Sequence, residues 1–167
     1  VKIIHLATTD MSLDWLLGEQ LSAFRQAGHE IIGMSAPGPH LPAIEANGVR
    51  HVPIPALTRR STLLADLRAS WQMYRVLRRE RPDILHTHNP KPGVLGRITG
   101  RLARVPVVIN TQHGLYAQPT DRRKKRWAVY FAERVAAAFG HLELVQNPED
   151  AQVLIERLKV RKSKVQV

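Results

Sequence analysis

Short apolar runs alternate with stretches whose apolar residues recur at helical spacing, and this alternation constrains the fold more than any other feature of the chain. Lys2 to Ala7, bounded by Thr8-Thr9-Asp10, reads as a buried strand. Leu13, Leu17, Leu21 and Phe24 then recur on one helical face, and Gly28 supplies the permissive backbone at which such a helix stops. Glu30 to Met34 predicts a second strand, Leu41 to Ala46 a short helix ending at Gly48, and Val49 to Ile54 a third strand. Leu64, Leu67, Trp71 and Tyr74 mark a longer amphipathic helix closed by Arg81-Pro82, and Asp83 to Thr87 the strand after it. Val94, Ile98 and Leu102 mark the next helix and Val105 to Asn110 the next strand. A helix from about Arg122 to Phe139 then leads to a brief strand at Leu142 to Val145.

Each parallel crossover needs a long connection, so strands alternating with amphipathic helices imply a doubly wound α/β domain, with a mostly parallel, Rossmann-like sheet between two helical layers. Ligands of such sheets lie beyond the carboxyl ends of the strands, so Thr8 to Ser12, His86 to Lys91 and Thr111 to Tyr116 are expected on one rim. The 167 residues fit one domain spanning 1–167, large enough to bury a core without staples.

Composition removes several function classes. The absence of cysteine excludes thiol catalysis, disulfides and cysteine-ligated zinc. Lys and Arg number 25 against 14 Asp and Glu, a net charge of +11 that predicts an anionic partner. Aromatic residues make up only 5% of the chain, and no interleaved aromatic-basic strand of the kind that stacks bases is present, which argues against nucleic acid. Strand one is not followed by G-x-G-x-x-G, so a dinucleotide-dependent oxidoreductase is disfavoured. Apolar runs such as Val105 to Ile109 are too short to span a bilayer, and Val1-Lys2-Ile3-Ile4 lacks the layout of a signal peptide, so a cytoplasmic domain is expected.

Two loops carry the chemistry. In His86 to Arg97 an apolar strand ends in His, Asn and Lys and hands directly to a helix, with Pro92 in its first turn and Gly93 where backbone can approach a ligand. In Asn110 to Tyr116 a second strand ends in a His-Gly pair, which places an imidazole at a sharp bend. Either loop alone is equally readable as a structural turn, but two histidines at one rim, His88 and His113, are what a cleft with acid-base or hydrogen-bonding chemistry requires.

The stretch H-T-H-N-P-K-P-G-V-L-G-R-I-T-G-R-L-A-R-V-P-V-V-I-N-T-Q-H-G resembles the N-terminal domain of family 4 retaining glycosyltransferases of the GT-B fold, nearest the capsular and exopolysaccharide branch, where His-x-His-x-x-Lys-x-Gly and a later Thr-x-His-Gly recur. The likeness extends to strand one, to Gly28-His29-Glu30 and to Asn147-Pro148-Glu149-Asp150. It implies an enzyme that moves a sugar from a nucleoside-diphosphate donor to a lipid-linked (polyprenyl-diphosphate) or polysaccharide acceptor with retention. No metal or other cofactor is implied; the sugar nucleotide is a co-substrate.

By the same resemblance His113 is the catalytic residue against the transferring sugar. Asp10, His88, Asn89, Lys91 and Gly114 line the acceptor side, and Met11 and Ser12 lie near the donor diphosphate. A front-face mechanism, in which the departing phosphate helps deprotonate the incoming hydroxyl, needs no enzyme carboxylate nucleophile. Two departures from the family pattern stand out. Thr8-Thr9-Asp10-Met11-Ser12 carries no glycine for close approach to phosphate, and the family's C-terminal, donor-binding domain with its paired glutamates is absent. Glu149 and Glu156 are separated by only six residues and lie in the wrong domain, so the chain alone is expected to transfer no sugar. The alternative is a non-catalytic α/β module that holds an anionic or phosphorylated ligand.

Asp121-Arg122-Arg123-Lys124-Lys125-Arg126-Trp127 opens a helix with five consecutive cations, where the helix dipole is already positive, so local stability does not explain them. With Trp127, Tyr130 and Phe131 on one side, the segment suits an anionic membrane surface, which would place the protein at the inner face of the cytoplasmic membrane. The other reading is a solvated charge run before a helix whose aromatics pack on the sheet.

Overall fold

The computed structural model describes residues 1–59, 62–88, 90–114 and 122–167. Among the described residues, seven parallel strands form one sheet in the order β3-β2-β1-β4-β5-β6-β7. They are β1 (Lys2–Thr9), β2 (Glu30–Ala36), β3 (Arg50–Pro53), β4 (Ile84–His88), β5 (Val107–Gln112), β6 (Leu142–Val145) and β7 (Val165–Gln166). The helices are α1 (Gly18–Gln26), α2 (Leu41–Ala46), α3 (Leu63–Glu80), α4 (Pro90–Leu102), α5 (Arg123–Phe139) and α6 (Pro148–Gln152), with π-helical turns at Ser12–Leu16 and Val153–Arg157. The order reverses at β1, so the crevice between the carboxyl ends of β1 and β4 is the topological switch point where ligands bind such sheets.

Successive residues of the central strands serve opposite layers, as the period of two requires. Ile3, Ala7 and Ile31 pack with Leu13, Leu17, Leu21 and Ile44 from the Ser12–Leu16 turn, α1 and α2. Ile4, Leu6, Ile32, Met34 and Leu85 pack with Ala69, Met73, Val76 and Leu77 of α3. This is the doubly wound arrangement expected from the alternation. Gly28 stops the first helix with φ +87°, in the left-handed region, and Asn147 caps α6 by accepting the Asp150 amide at 2.8 Å.

The structure corrects the sequence-based expectation in four places. The helix expected from Leu13 is divided into the π-helical turn and α1. On α3 the expected core stripe faces outward, with Leu64 81%, Leu67 59% and Trp71 60% exposed, while Tyr74 is half-buried. The helix carries two apolar stripes on nearly opposite sides, and the one with smaller side chains, Ala69, Met73, Val76 and Leu77, lies closest to the sheet. On α4 Leu102 is exposed and Val94 and Ile98 are half-buried, because Gly93, Gly96 and Gly100 make the contact instead. A Cβ on Gly96 would lie 2.5 Å from Leu6 Cδ2 and 2.6 Å from Thr87 Cγ2, so the helix sits closer to the sheet than any side chain allows. Finally, β5 begins and ends two residues later than expected and so includes Thr111 and Gln112.

Candidate active site at the carboxyl ends of β4 and β5

Strand alternation divides the two informative sequence segments into two sets of residues with different tasks. Thr87, Asn110 and Gln112 point toward α4 and α5 and join a buried polar network around Arg97, which is 0% exposed. Arg97 donates from Nη1 to Glu143 at 2.7 Å, from Nη2 to Glu133 at 2.5 Å and from Nε to the Gly93 carbonyl at 2.7 Å. Asn110 donates to the other Glu143 oxygen at 2.9 Å and accepts from Thr87 at 2.8 Å. Burial pushes the Glu143 carboxyl up against the opposing pull of Arg97. Gly93 belongs to this network as well: a Cβ there would lie 2.7 Å from Asn110 Oδ1, so its lack of a side chain serves helix packing, not approach to a ligand.

His86, His88 and Thr111 face the opposite way, and His113 follows Thr111 by two residues just past the end of β5. His5, in the middle of β1, is the register partner of His86. The imidazoles touch in series. His5 Nδ1 lies 3.1 Å from His88 Nε2, and His88 Nδ1 lies 3.2 Å from His113 Nε2. His113 Nδ1 accepts from the Gln146 amide at 3.1 Å, just past β6, and His86 Nε2 meets Thr111 Oγ1 at 2.7 Å. The His88 and His113 rings meet edge to edge, with centroids 5.5 Å apart and planes inclined by 28°. His5 and His88 are 0% and 1% exposed, whereas His113 is half-buried and opens the series to the rim. Gly114 follows with φ +102°, the bend that the His-Gly pair implied.

Burial governs the electrostatics. Desolvation, reinforced by charge on His86, lowers His5 to about 3. Desolvation and then charge on His113 lower His86 to about 4. His88 falls well below its ordinary value for the same first reason, with further opposition from His86, His5 and His113. His113 is lowered by desolvation alone. At neutral pH the series is therefore uncharged, and His113 offers hydrogen bonds instead of a positive charge. One atom each of His5, His86 and His88 lies within 4.8 Å of the others, a spacing compatible with metal ligation, yet the hydrogen bonds above already engage a nitrogen of every ring.

The other expected site residues have partners of their own. Asp10 is 4% exposed, and its carboxylate accepts from the amides of Met11 at 2.9 Å and His40 at 2.7 Å, which ties the end of β1 to the loop before α2. The amide of Met11, a residue that the resemblance places near the donor diphosphate, is therefore engaged by the Asp10 carboxylate, an anion of the same sign as the diphosphate. Ser12 Oγ lies 3.3 Å from Thr9 Oγ1. His88, expected on the acceptor side, has both ring nitrogens engaged and no exposed surface to offer. Lys91 reaches Asp66 at 2.5 Å and donates to the Thr58 carbonyl at 2.7 Å. It lines an apolar-walled cavity of about 490 Å³ with Leu95, Val129 and Ala132, which neither His88 nor His113 lines. Asn89, Tyr116 and Asp121 lie outside the described residues.

Along α5, Arg122 to Lys125 are exposed and Arg126 is half-buried. Trp127 and Phe131 are 69% and 55% exposed and stack with centroids 5.4 Å apart, while Tyr130 turns inward. The expectation of three aromatics on one side thus holds for two. Two members of the site, His5 and Gln146, are not flagged by the motifs. A histidine inside an otherwise apolar strand was the available signal for His5; Gln146 had none.

A family model described as a glycosyl transferase 4-like domain matches residues 16–167. The chain is 35% identical over 121 residues, 72% of its length and 31% of the relative's, to the UDP-Gal:alpha-D-GlcNAc-diphosphoundecaprenol alpha-1,3-galactosyltransferase of Escherichia coli. It is 30% identical over 135 residues, 81% of its length and 34% of the relative's, to the capsular polysaccharide biosynthesis glycosyltransferase CapM of Staphylococcus aureus. It therefore spans about a third of the curated relatives it matches. A glycosyltransferase from Rickettsia africae superposes with a TM-score of 0.75 at 15% identity, over 99% of this chain and 42% of that one. UDP-N-acetylglucosamine 2-epimerases share the fold as well, so architecture alone does not select transfer chemistry. With the family model matching nearly the whole chain, and relatives matching most of it at 30% identity or more, the chain belongs to the glycosyl transferase 4-like family.

Proposed function

We propose that this chain is the acceptor-side half of a retaining glycosyltransferase that moves a hexosyl or N-acetylhexosaminyl group from a nucleoside-diphosphate sugar to a lipid-linked or polysaccharide acceptor. The observation that carries the reading is His113, a neutral, half-buried imidazole held by His88 and Gln146 at the carboxyl end of β5. In this reading His113 hydrogen-bonds the transferring sugar, Lys91 and Gly114 contribute to the acceptor side, and the donor half is supplied by sequence outside this chain. Asp10 and His88 serve the acceptor indirectly, through the positions of the loop after β1 and of His113.

The two curated relatives, named for a diphosphoundecaprenol-linked acceptor and for capsular polysaccharide, support the acceptor class. The test is to incubate the full-length gene product with radiolabelled nucleotide hexoses and a polyprenyl-diphosphate-linked sugar. Label should enter the solvent-extractable lipid with the anomeric configuration of the donor. Nucleotide release with no labelled lipid or glycan would contradict the reading, and the 167-residue chain alone should transfer nothing.

A lipid-linked acceptor places the enzyme at a membrane surface. No described helix is long and apolar enough to cross a bilayer. The outward Trp127 and Phe131 of α5, beside Arg122 to Arg126, and the outward Leu63, Leu64, Leu67 and Trp71 of α3 support peripheral contact at the inner face of the cytoplasmic membrane. Sedimentation with anionic liposomes should show binding that weakens with salt. Neutralising Arg122 to Arg126 should abolish it, at about 1 kcal/mol per basic residue near the surface; binding unchanged by those substitutions would remove the segment from the interface.

A further inference from the structure

The series Gln146–His113–His88–His5 has a direction, and that direction is chemically informative. The Gln146 amide donates to His113 Nδ1, so a neutral His113 carries its proton on Nε2 and donates it to His88 Nδ1. His88 must then carry its own proton on Nε2, where it meets His5 Nδ1. His5 in turn carries its proton on Nε2, which finds no hydrogen-bond partner among the described residues and is fully buried. Each hydrogen bond thus ties one ring's tautomer to its neighbour's, in either direction, from the exposed end of the series at Gln146 to the centre of β1.

Stability does not explain this arrangement. A buried polar series that ends in an unsatisfied group is less stable than apolar side chains of the same shape in the same space. The neighbouring positions of β1, Ile4 and Leu6, are apolar and fully buried. The register reinforces the point: His5 is opposite His86, and His88 lies one pleat further toward the rim, so strand geometry arrays the imidazoles toward His113.

We propose that His5 and His88 are positioning residues that hold His113 as its Nε2–H tautomer with a fixed ring plane, leaving Nδ1 as the acceptor for a substrate hydroxyl once the Gln146 amide gives way. The inference rests on His113 acting at the sugar, as proposed above. Gln146 then serves as the group that fills the hydroxyl's place in the unliganded protein: a side-chain amide at the end of β6 whose donor can be exchanged for an O–H of the substrate. His113 acts directly, whereas His5, two imidazoles removed, acts only through it.

The test is ¹⁵N NMR of the full-length gene product labelled at histidine, with kinetics on the same samples. The unsubstituted protein should show His113 protonated at Nε2 and unprotonated at Nδ1. His5→Phe keeps a ring but removes the acceptor for His88; it should yield mixed tautomers at His113 and a roughly tenfold lower kcat, with donor KM unchanged. His5→Asn, whose Oδ1 replaces Nδ1, should restore both. A His113 protonated at Nδ1 in the unsubstituted protein would overturn the proposal without recourse to any variant. So would an unaltered His113 tautomer and kcat in His5→Phe, or imidazole shifts that change on dialysis against a chelator, which would mark the rings as metal ligands. The two readings fail separately: full turnover in His113→Ala would remove the role of His113 in transfer, while leaving the tautomer measurement to stand or fall alone.

Discussion

Acidification from pH 7 is expected to unfold this domain well before its carboxylates are all protonated. Histidines of the unfolded chain bind protons near 6.5, whereas in the folded protein His5 does so only near 3, His86 only near 4 and His88 well below its ordinary value. Between these limits the unfolded state holds up to three protons that the native state lacks, so stability is full above about pH 7 and falls as pH drops through 6.5. Three protons correspond to a slope approaching about 4 kcal/mol per pH unit. Glu143, raised by burial, has the opposite sign, but it is one group against three. Against a typical total of about 5–15 kcal/mol, the midpoint of acid unfolding is expected near pH 5. Urea midpoints measured between pH 8 and 5 should be flat at the upper end and steep below about pH 6, and His5→Phe should reduce the slope by about a third. A midpoint that is flat down to pH 5 would show that the histidines are not buried as described.

The second large effect concerns Arg97. Its removal leaves Glu133 and Glu143, both under 4% exposed, without the cation that each contacts. Breaking such a buried pair costs about 3–5 kcal/mol, because a charge is left uncompensated in a low-dielectric interior. Arg97→Met should therefore lower the melting temperature by roughly 10–15 °C for a domain of this size. Arg97→Lys should recover little, since one ammonium group cannot reach Glu133, Glu143 and the Gly93 carbonyl with the fork geometry of a guanidinium. Adding Glu133→Gln and Glu143→Gln to Arg97→Met should recover part of the loss. A change of only a degree or two in Arg97→Met would mean that the network relaxes into water.

The fold was legible because parallel strands buried on both faces leave largely apolar runs, as in Ile3 to Ala7 with its single histidine, and because Gly28, Arg81-Pro82 and Asn147 punctuate the helices between them. The faces of α3 and α4 were not legible. Leu64, Leu67 and Trp71 form as good an apolar stripe as the one that is buried, and the sheet-facing side of α4 is made of glycines, which carry no hydropathy signal. The site was legible in part. His113 and Gly114 lie where a polar loop after a strand predicts, but alternation along β4 and β5 sends Thr87, Asn110 and Gln112 to a core network around Arg97 of α4. Motif spacing does not distinguish a residue kept for packing from one kept for chemistry. Asp10 is a related case: the resemblance assigns it to the acceptor side, and its place in the sequence gives no sign that its carboxylate accepts from the amides of Met11 and His40.

The placement of His113 at the rim end of a buried histidine series, serving sugar transfer, is tested most directly by the turnover of His113→Ala in the full-length gene product. The account predicts a fall in kcat of at least about a hundredfold, the scale of a lost acid-base or transition-state hydrogen-bonding group, with donor affinity within a few-fold of the unsubstituted protein and a melting temperature lowered by only a few degrees, as His88 Nδ1 loses its partner. Near-normal turnover in a folded His113→Ala variant would contradict it.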